Sequence, residues 1–264
     1  MLMLTHTWML LMFLGPGLAR TAERDLFVHN ISPDILPIHQ DITTDMTHGL
    51  PRFRHLPGEY SKAFFTQFHL LVDDIAHYGR ICAAAPKIFD PHSNGYAYRK
   101  GRLLIAPLLD FHSSIGHRLN YAEAAYRAHI IIEMAFDQVL QDEGGREELV
   151  PLFFEALNYT LDDKLEDFCR IAAWFYGIDT ATIAEALRIG KEKCAHEERT
   201  ALFASLNGRI ALYIGKFGLD VHHPATWSGL HDLLLQGVEI TADYEDFFRK
   251  TIAAIRATGF TNPL

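Results

Sequence analysis

Cysteine and positive charge are both scarce in this chain of 264 residues. There are three cysteines, Cys82, Cys169 and Cys194, and no two of them form a Cys-x-x-Cys pair. An odd, widely spaced set predicts free thiols rather than a disulfide framework. Lys and Arg total 24 against 33 Asp and Glu, which gives a net charge of −9. Because nucleic acids are bound through clustered Lys and Arg, this balance argues against a nucleic-acid partner.

Several signatures of common enzyme classes are also missing. The chain has no Gly-x-Ser-x-Gly, no phosphate-binding P-loop and no Gly-x-Gly-x-x-Gly dinucleotide motif. A di-iron bundle would need Glu-x-x-His pairs, and no Glu lies three residues before a His. The one His-Asp dipeptide, His231-Asp232, lies far from the other histidines of interest. Nucleophilic serine chemistry and nucleotide-cofactor chemistry are therefore not indicated.

Strand-like alternation of apolar and polar residues is scarce, and helical periodicity dominates. The pattern predicts helices over 59–78, 120–142, 146–158, 160–176, 180–206, 208–218 and 241–257. Asn120 with Glu123, Asp179 and Thr241 are the predicted N-terminal caps. The proline-containing stretches 28–58 and 86–118 are predicted to be irregular loops. We expect one all-α domain over 1–264.

The first nineteen residues, MLMLTHTWMLLMFLGPGLA, are mostly apolar. A secretory signal carries positive charge before its apolar run, but the first Arg here is Arg20. The run is also too short to span a bilayer. Charge order favours a retained helix and a cytoplasmic protein. Cleavage after Gly17-Leu18-Ala19, with secretion or membrane association, stays open as the alternative.

Histidine is abundant and unevenly distributed. Of 15 histidines, eleven lie between His6 and His129. The concentration predicts that any metal or acid–base chemistry belongs to the first half of the chain.

Two segments place metal-ligand side chains on one helical face. His69, Asp73 and His77 are spaced by four residues, and each step of four turns a helix by only about 40°. Imidazole and carboxylate are ligands for zinc and similar divalent ions. Asp74 lies about 100° further round and is the weaker candidate. The apolar residues around the stripe favour a buried helix, in which these polar groups need partners.

The second segment, AHIIIEMAFD, repeats the spacing with His129, Glu133 and Asp137. Such a stripe on an Ile, Met and Phe helix is unfavourable unless the groups meet a cation or each other. A metal site and a satisfied polar network are both compatible with it. Asp137 is alternatively an acceptor that orients a ligating imidazole.

A third segment, VHNISPDILPIHQDITTDMTHG, places Asp34 after Pro33 and His48 before Gly49. A loop carboxylate near a metal can ligate it or act as a base.

Five elements follow one another along the chain: an early His, a Pro-Asp, a further His, an HxxxDxxxH segment and an HxxxE segment. The order of these elements resembles that in the zinc-dependent phospholipase C family. The zinc nucleases of single strands share that family's fold. The resemblance covers about the first 140 residues. It implies an all-α fold that binds up to three zinc ions. It also implies that the protein hydrolyses phosphodiesters. The metal-site half would be about 1–142, with additional helices over about 146–264.

The resemblance also implies roles for individual residues. His6 with Asp73 would hold one ion, and His77, His129 and Glu133 another; the remaining ion would be held by Asp34, His48, His69 and Asp73. Asp34 would also position the attacking water as the catalytic residue. With His6 as a ligand, the first helix must be retained.

This chain departs from the family in two ways. The secreted phospholipases use the amino group of an N-terminal Trp, whereas Met1 lies only five residues before His6. The interval between His77 and His129 is long and contains His117, a spare ligand. The other spares are Asp137, His39 and His29, the last being the nearest substitute for His6 if the leader were cleaved.

The expected function is hydrolysis of a phosphate-ester small molecule or a phospholipid, with a membrane surface as a further partner. Zinc, as two or three ions, is the expected cofactor, and another divalent metal is compatible with the same ligands. The alternative is a non-catalytic helical protein that binds metal structurally or associates with membranes.

Overall fold

The computed structural model describes residues 3–21, 23–83, 90–142, 148–195 and 205–261. These residues form helices and connecting turns and no strand, which confirms the all-α prediction. The helices are α1 (Met3–Thr21), α2 (Asp25–Ile35), α3 (Thr44–His48), α4 (Ala63–Tyr78), α5 (Tyr96–Gly101), α6 (Ile105–Ser114), α7 (Tyr121–Asp142), α8 (Leu149–Asp163), α9 (Leu165–Tyr176), α10 (Thr180–Ala195), α11 (Leu206–Phe217), α12 (Pro224–Ile240) and α13 (Tyr244–Ala257).

Most predicted helices are present with shifted ends. The predicted helices over 59–78 and 120–142 correspond to α4 and α7. The pair 146–158 and 160–176 is present as α8 and α9, which meet at Lys164. The prediction over 180–206 is confirmed to Ala195, where α10 ends, and residues 196–204 lie outside the described part of the chain.

Two of the predicted caps are confirmed and one is wrong. Asn120 Oδ1 accepts a hydrogen bond from the Glu123 amide, and Glu123 Oε2 accepts one from the Asn120 amide, which forms a capping box. Asp179 Oδ1 accepts from the Thr182 amide at the start of α10. Thr241 caps nothing, because its hydroxyl donates to the Gly237 carbonyl at the end of α12.

The prediction of an irregular loop over 28–58 is wrong for its first part, because α2 continues through Pro33. Proline has no N–H for the carbonyl four residues earlier, here that of His29. That carbonyl accepts instead from the hydroxyls of Ser32, at 2.7 Å, and Thr66, at 3.0 Å. The helix therefore tolerates the proline, and Asp34 lies on a helix rather than in a loop.

The loop predicted over 86–118 is also wrong, since α5 and α6 lie within it. Helix α12 was not predicted at all. In both regions a proline marks the beginning of a helix, where its missing N–H would be unpaired in any case. Pro107 lies in the first turn of α6, and Pro224 is the first residue of α12, with His223 as its cap.

The helices that carry the predicted ligands pack around a shared core. Helix α2 packs against α1, α4 and α8, and α7 packs against α1, α5, α6 and α12. Leu4, Met9 and Leu10 of α1 are almost completely buried, so α1 contributes to the core as well as carrying His6. The helical backbone of α1 is interrupted at Gly15, whose φ of 75° suits glycine.

Cys82, Cys169 and Cys194 form no disulfide with one another, as predicted. Within the described ranges, no helix is both long enough and apolar enough to cross a membrane.

Candidate metal centre

The first group of predicted ligands joins α1 to α4. The imidazole rings of His6 and His69 stack with centroids 3.6 Å apart and planes 12° apart. His6 Nε2 lies 3.2 Å from Asp73 Oδ1. Burial, reinforced by the neighbouring His69, lowers the pKa of His6 to about 3. His6 is therefore a neutral imidazole at pH 7, the form in which histidine binds metals.

Hydrogen bonds on both sides of α1 hold His6 in place. Asp137 Oδ1 accepts from the Thr5 amide at 2.9 Å and from the Thr5 hydroxyl at 2.5 Å. Asn30 Nδ2 donates to the His6 carbonyl at 2.8 Å. Asp137 was considered either a ligand or an acceptor for a ligating imidazole, but these hydrogen bonds go to Thr5. Its carboxylate thus positions the residue next to a predicted ligand.

The second group brings Asp34 and His48 to His69. Asp34 Oδ1 lies 3.4 Å from His48 Nε2 and 3.8 Å from His69 Nε2. Asp73 Oδ2 lies 3.5 Å from His48 Nε2 and 3.4 Å from His69 Nε2. Because its other oxygen is directed to His6, Asp73 reaches both groups. A carboxylate shared in this way can bridge two cations.

His48 is oriented by the end of α3. Its Nδ1 lies 2.9 Å from the Thr47 hydroxyl and 3.2 Å from the Thr44 carbonyl, which leaves Nε2 for the carboxylates. Burial alone would lower the pKa of His48, but hydrogen bonds to Asp34 and Asp73 raise it to about 9. Burial would raise the pKa of Asp34, but the electrostatic influence of His69 and the hydrogen bond to His48 lower it to about 2. This part of the site therefore takes up a proton in the absence of a cation.

The third group lies between α4 and α7. His77 Nε2 is 2.7 Å from Glu133 Oε1, and His129 Nε2 is 4.0 Å from the same oxygen. The Tyr98 ring stacks on His129 with centroids 4.4 Å apart. Burial lowers the pKa of His129 to about 3, so this imidazole is also neutral. Burial would raise the pKa of Glu133, but the nearby histidines contribute to holding it well below its usual range.

All three groups border one cavity of about 1040 Å³. Residues from each group line it, while His6 and His69 are fully buried behind them. The lining ligands are Asp34, His48, Asp73, His77, His129 and Glu133.

The donor atoms in this region fit a metal cluster. Within each group, one possible ligand atom per residue lies within 4.8 Å of the others. Among the described residues, both ring nitrogens of His6 and of His69, as well as Asp34 Oδ2, are buried and lack a well-aligned hydrogen bond, although the two Nε2 atoms lie 3.2–3.9 Å from carboxylate oxygens. Each such atom destabilises the fold by about 1–3 kcal/mol. A cation would accept the lone pair of one nitrogen in each neutral imidazole and of the carboxylate oxygen, and imidazole with carboxylate is a donor set that binds several divalent metals.

Several other predicted candidates lie outside the three groups. Asp74 forms a two-pronged ion pair with Arg52, at 2.8 and 3.1 Å, so its role is structural. The spare histidines have other surroundings: His29 packs on Phe168, His39 lies 3.8 Å from Glu185, and His117 packs near His112. His29 therefore does not occupy a position that could replace His6.

Sequence reasoning missed the residues that support the ligands. Thr5 and Asn30 carry no spacing signal, since their partners lie 132 and 24 residues away in the chain. Tyr98 belongs to the region predicted as a loop, and it lines the cavity beside His129. Arg209, Leu212 and Lys216 of α11 line the same cavity and were assigned only to core-forming helices.

Comparison of the chain with protein-family models finds no match, and neither curated proteins nor solved structures yield one. The likeness to the zinc-dependent phospholipases C consequently depends on the ligand motifs and their order.

Proposed function

We propose that this protein is a metal-dependent phosphoric ester hydrolase, similar to phospholipase C, that uses an activated water as nucleophile. One observation carries the proposal: eight ligands proposed from four separate segments converge in three groups around a single cavity. Zinc, as two or three ions, matches the donor set best.

The shared ligands favour a cluster over three separate sites. His6, His69 and Asp73 would hold one ion, and Asp34, His48 and His69 would hold a second. Asp73 would join the second set through Oδ2, which lies 3.5 Å from His48 Nε2 and 3.4 Å from His69 Nε2. The third would be held by His77, His129 and Glu133. When bound, divalent ions supply an activated water and offset charge on a phosphoryl group.

Asp34 is the residue that we propose positions the attacking water. Its side chain is 23% exposed and borders the cavity, whereas that of Asp73 is 6% exposed. With its pKa lowered to about 2, Asp34 stays ionised near neutral pH and can accept a hydrogen bond from water. Tyr98, whose pKa burial raises, stays protonated beside His129 and can donate to a phosphoryl oxygen.

The cavity also limits the substrate class. Its volume accommodates a small organic phosphate or the headgroup of a phospholipid. The net charge of −9 does not favour a long polyanion such as nucleic acid. We therefore propose a phosphate-ester small molecule or a phospholipid as substrate. If α1 is retained, we propose that the protein acts in the cytoplasm.

The test combines metal analysis with hydrolysis of a phosphodiester panel, including a chromogenic diester and phospholipid vesicles. Chelation should abolish turnover and added zinc should restore it. Asp34→Asn should lose turnover by more than it loses metal, while Asp110→Asn, an exposed carboxylate on α6, should change neither. Tightly bound metal without turnover of any substrate would instead support the structural metal-binding alternative.

A further inference from the structure

Helix α11 contributes one face to the cavity, although it lies outside the segments that carry the ligands. Arg209, Leu212 and Lys216 follow one another at intervals of three and four residues, which places them on the same side of the helix. All three line the cavity. The face therefore presents two cations separated by one apolar side chain.

Side-chain contacts fix how α11 runs relative to α7. At its start, Arg209 donates to Gln138 Oε1 at 2.6 Å and to Gln141 Oε1 at 2.9 Å. At its end, Phe217 lies under the Arg127 guanidinium, 4.4 Å from the ring centroid. The two helices are therefore antiparallel, and Lys216 is level with the part of α7 that carries His129.

Arg209 forms no ion pair with any residue in the described part of the chain. Its side chain is 1% exposed, both hydrogen-bond partners are neutral amides, and its Nε has no partner. Asp137 and Asp142 influence its pKa, but neither accepts a hydrogen bond from it. Asp142 reaches Arg209 only through Gln138, whose Nε2 donates to both carboxylate oxygens at 2.7 Å. A buried guanidinium without a direct carboxylate partner can attract an anion that enters the cavity.

Lys216 adds an accessible charge at the rim. Its side chain is exposed, and together with Arg209 it supplies the Lys and Arg charge among the described lining residues. The lining next to it includes Ile130 and Met134 of α7 and the 41% exposed Leu212. An apolar strip thus separates the proposed metal centre from the cationic face.

We propose that α11 forms an anion subsite for a second negative group of the substrate, remote from the phosphate that reacts. The substrate class is an organic phosphate ester with an apolar middle portion and a terminal carboxylate or phosphate. This inference rests on the proposed hydrolase function. The cavity volume of about 1040 Å³ leaves room for such a molecule beyond one phosphoryl group.

The first experiment compares three p-nitrophenyl phosphodiesters whose four-carbon arms end in a carboxylate, a phosphate or a methyl ester. The wild type should have a kcat/KM roughly threefold to tenfold higher for the charged arms than for the ester. The better of the two charged arms identifies the source of the charge. Lys216→Glu should abolish or reverse the preference. Equal kcat/KM for all three in the wild type would overturn the subsite and leave the hydrolase proposal standing.

The matched control is Lys250→Glu on α13. Lys250 is an exposed lysine that pairs with Asp246 and does not line the cavity, so the variant makes the same change in net charge elsewhere. It should keep the wild-type preference. A Lys216→Glu variant with an unchanged preference, or a Lys250→Glu variant that loses it, would contradict a local subsite.

A binding measurement separates the subsite from catalysis. Calorimetry on the metal-free protein compares 4-carboxybutylphosphonate with pentylphosphonate, which differ only in the terminal charge. Tighter binding of the carboxylate form, lost in Lys216→Glu, would support the subsite even if no diester were hydrolysed. Equal binding of both by the wild type would overturn it.

Discussion

The two halves of the chain bury polar side chains for different reasons. Up to Asp142, the buried polar residues include histidines and carboxylates whose partners come from distant segments or are missing. From Leu149 onward, within the described ranges, they are Thr160, Arg209, Thr226, Thr241 and Thr251. The first half thus depends more on partners from distant segments for its buried polar groups.

The threonines of the second half satisfy themselves locally. Thr160 donates to the Ala156 carbonyl and Thr251 to the Phe247 carbonyl, in each case within one helix. Such hydroxyls need no partner from another element. Arg209 is the exception in this half, and it is also the buried polar residue there that lines the cavity. In the described part of the second half, the one buried polar residue whose partners lie on another helix is thus also the one that lines the cavity.

Removal of a shared ligand should have the largest effect. His69→Ala takes a ligand from two groups, so we expect the loss of at least one bound ion and a fall in hydrolysis by about a thousandfold or more. Metal content and kcat/KM are the measurements. His112→Ala is the matched control, because His112 is equally buried but belongs to none of the three groups. Equal metal loss in both variants would contradict the assignment.

A large core side chain of the second half should affect stability without affecting metal content. Phe248 is fully buried, and its ring centroid lies 5.3 Å from that of Phe136. Phe248→Ala should lower the free energy of unfolding by about 3–5 kcal/mol, measured in urea, while the folded fraction keeps its metal. Leu235→Ala, at a 43% exposed position on α12, should change stability by less than about 1 kcal/mol. Metal loss from folded Phe248→Ala would erase the difference between the halves.

The all-α class, most helices and the two single-helix ligand stripes could be predicted from the sequence because they depend on local periodicity. The grouping of ligands from different segments was expected only from the family resemblance. Spacing by four residues places His69, Asp73 and His77 on one face whatever surrounds them. The course of the chain through Pro33 could not be predicted this way. It depends on hydroxyls that donate to the His29 carbonyl. One of them belongs to Thr66, which lies far from His29 along the sequence.

The contacts between helices that support the site could not be predicted from the sequence either. Asp137 has the right spacing for a ligand, yet its hydrogen bonds go to Thr5 because α1 packs against α7. The contribution of α11 to the cavity follows from its position along α7, which no local pattern encodes.

Substitution of two buried threonines, one in each half, measures the difference between the halves. Thr5→Val removes a hydroxyl bonded to Asp137, so it should lower the free energy of unfolding by about 1.5–3 kcal/mol, because a buried carboxylate loses a partner. Thr160→Val removes a hydroxyl that bonds within its own helix and should alter stability by about 0.5 kcal/mol or less. Thermal and urea unfolding measure both. Equal changes would contradict the distinction.

The metal affinity should depend on pH through His48. Its pKa of about 9 in the absence of metal means that an ion must displace a proton below that pH. Zinc affinity should therefore rise by about tenfold per pH unit between about pH 7 and 9 and then level off. Competition titrations at several pH values measure the slope. His48→Gln has no proton to release and should flatten it; an unchanged slope in this variant would assign the proton elsewhere.

The most direct test of the central claim is the metal content of the wild-type chain, purified without a chelator or a metal-affinity tag and measured by mass spectrometry. The same sample should give the intact mass, which reports whether α1 and His6 are present. We predict two or three zinc equivalents per chain that contains His6. No bound metal, with none taken up when zinc is added, would contradict the account and leave the three groups as buried polar structure.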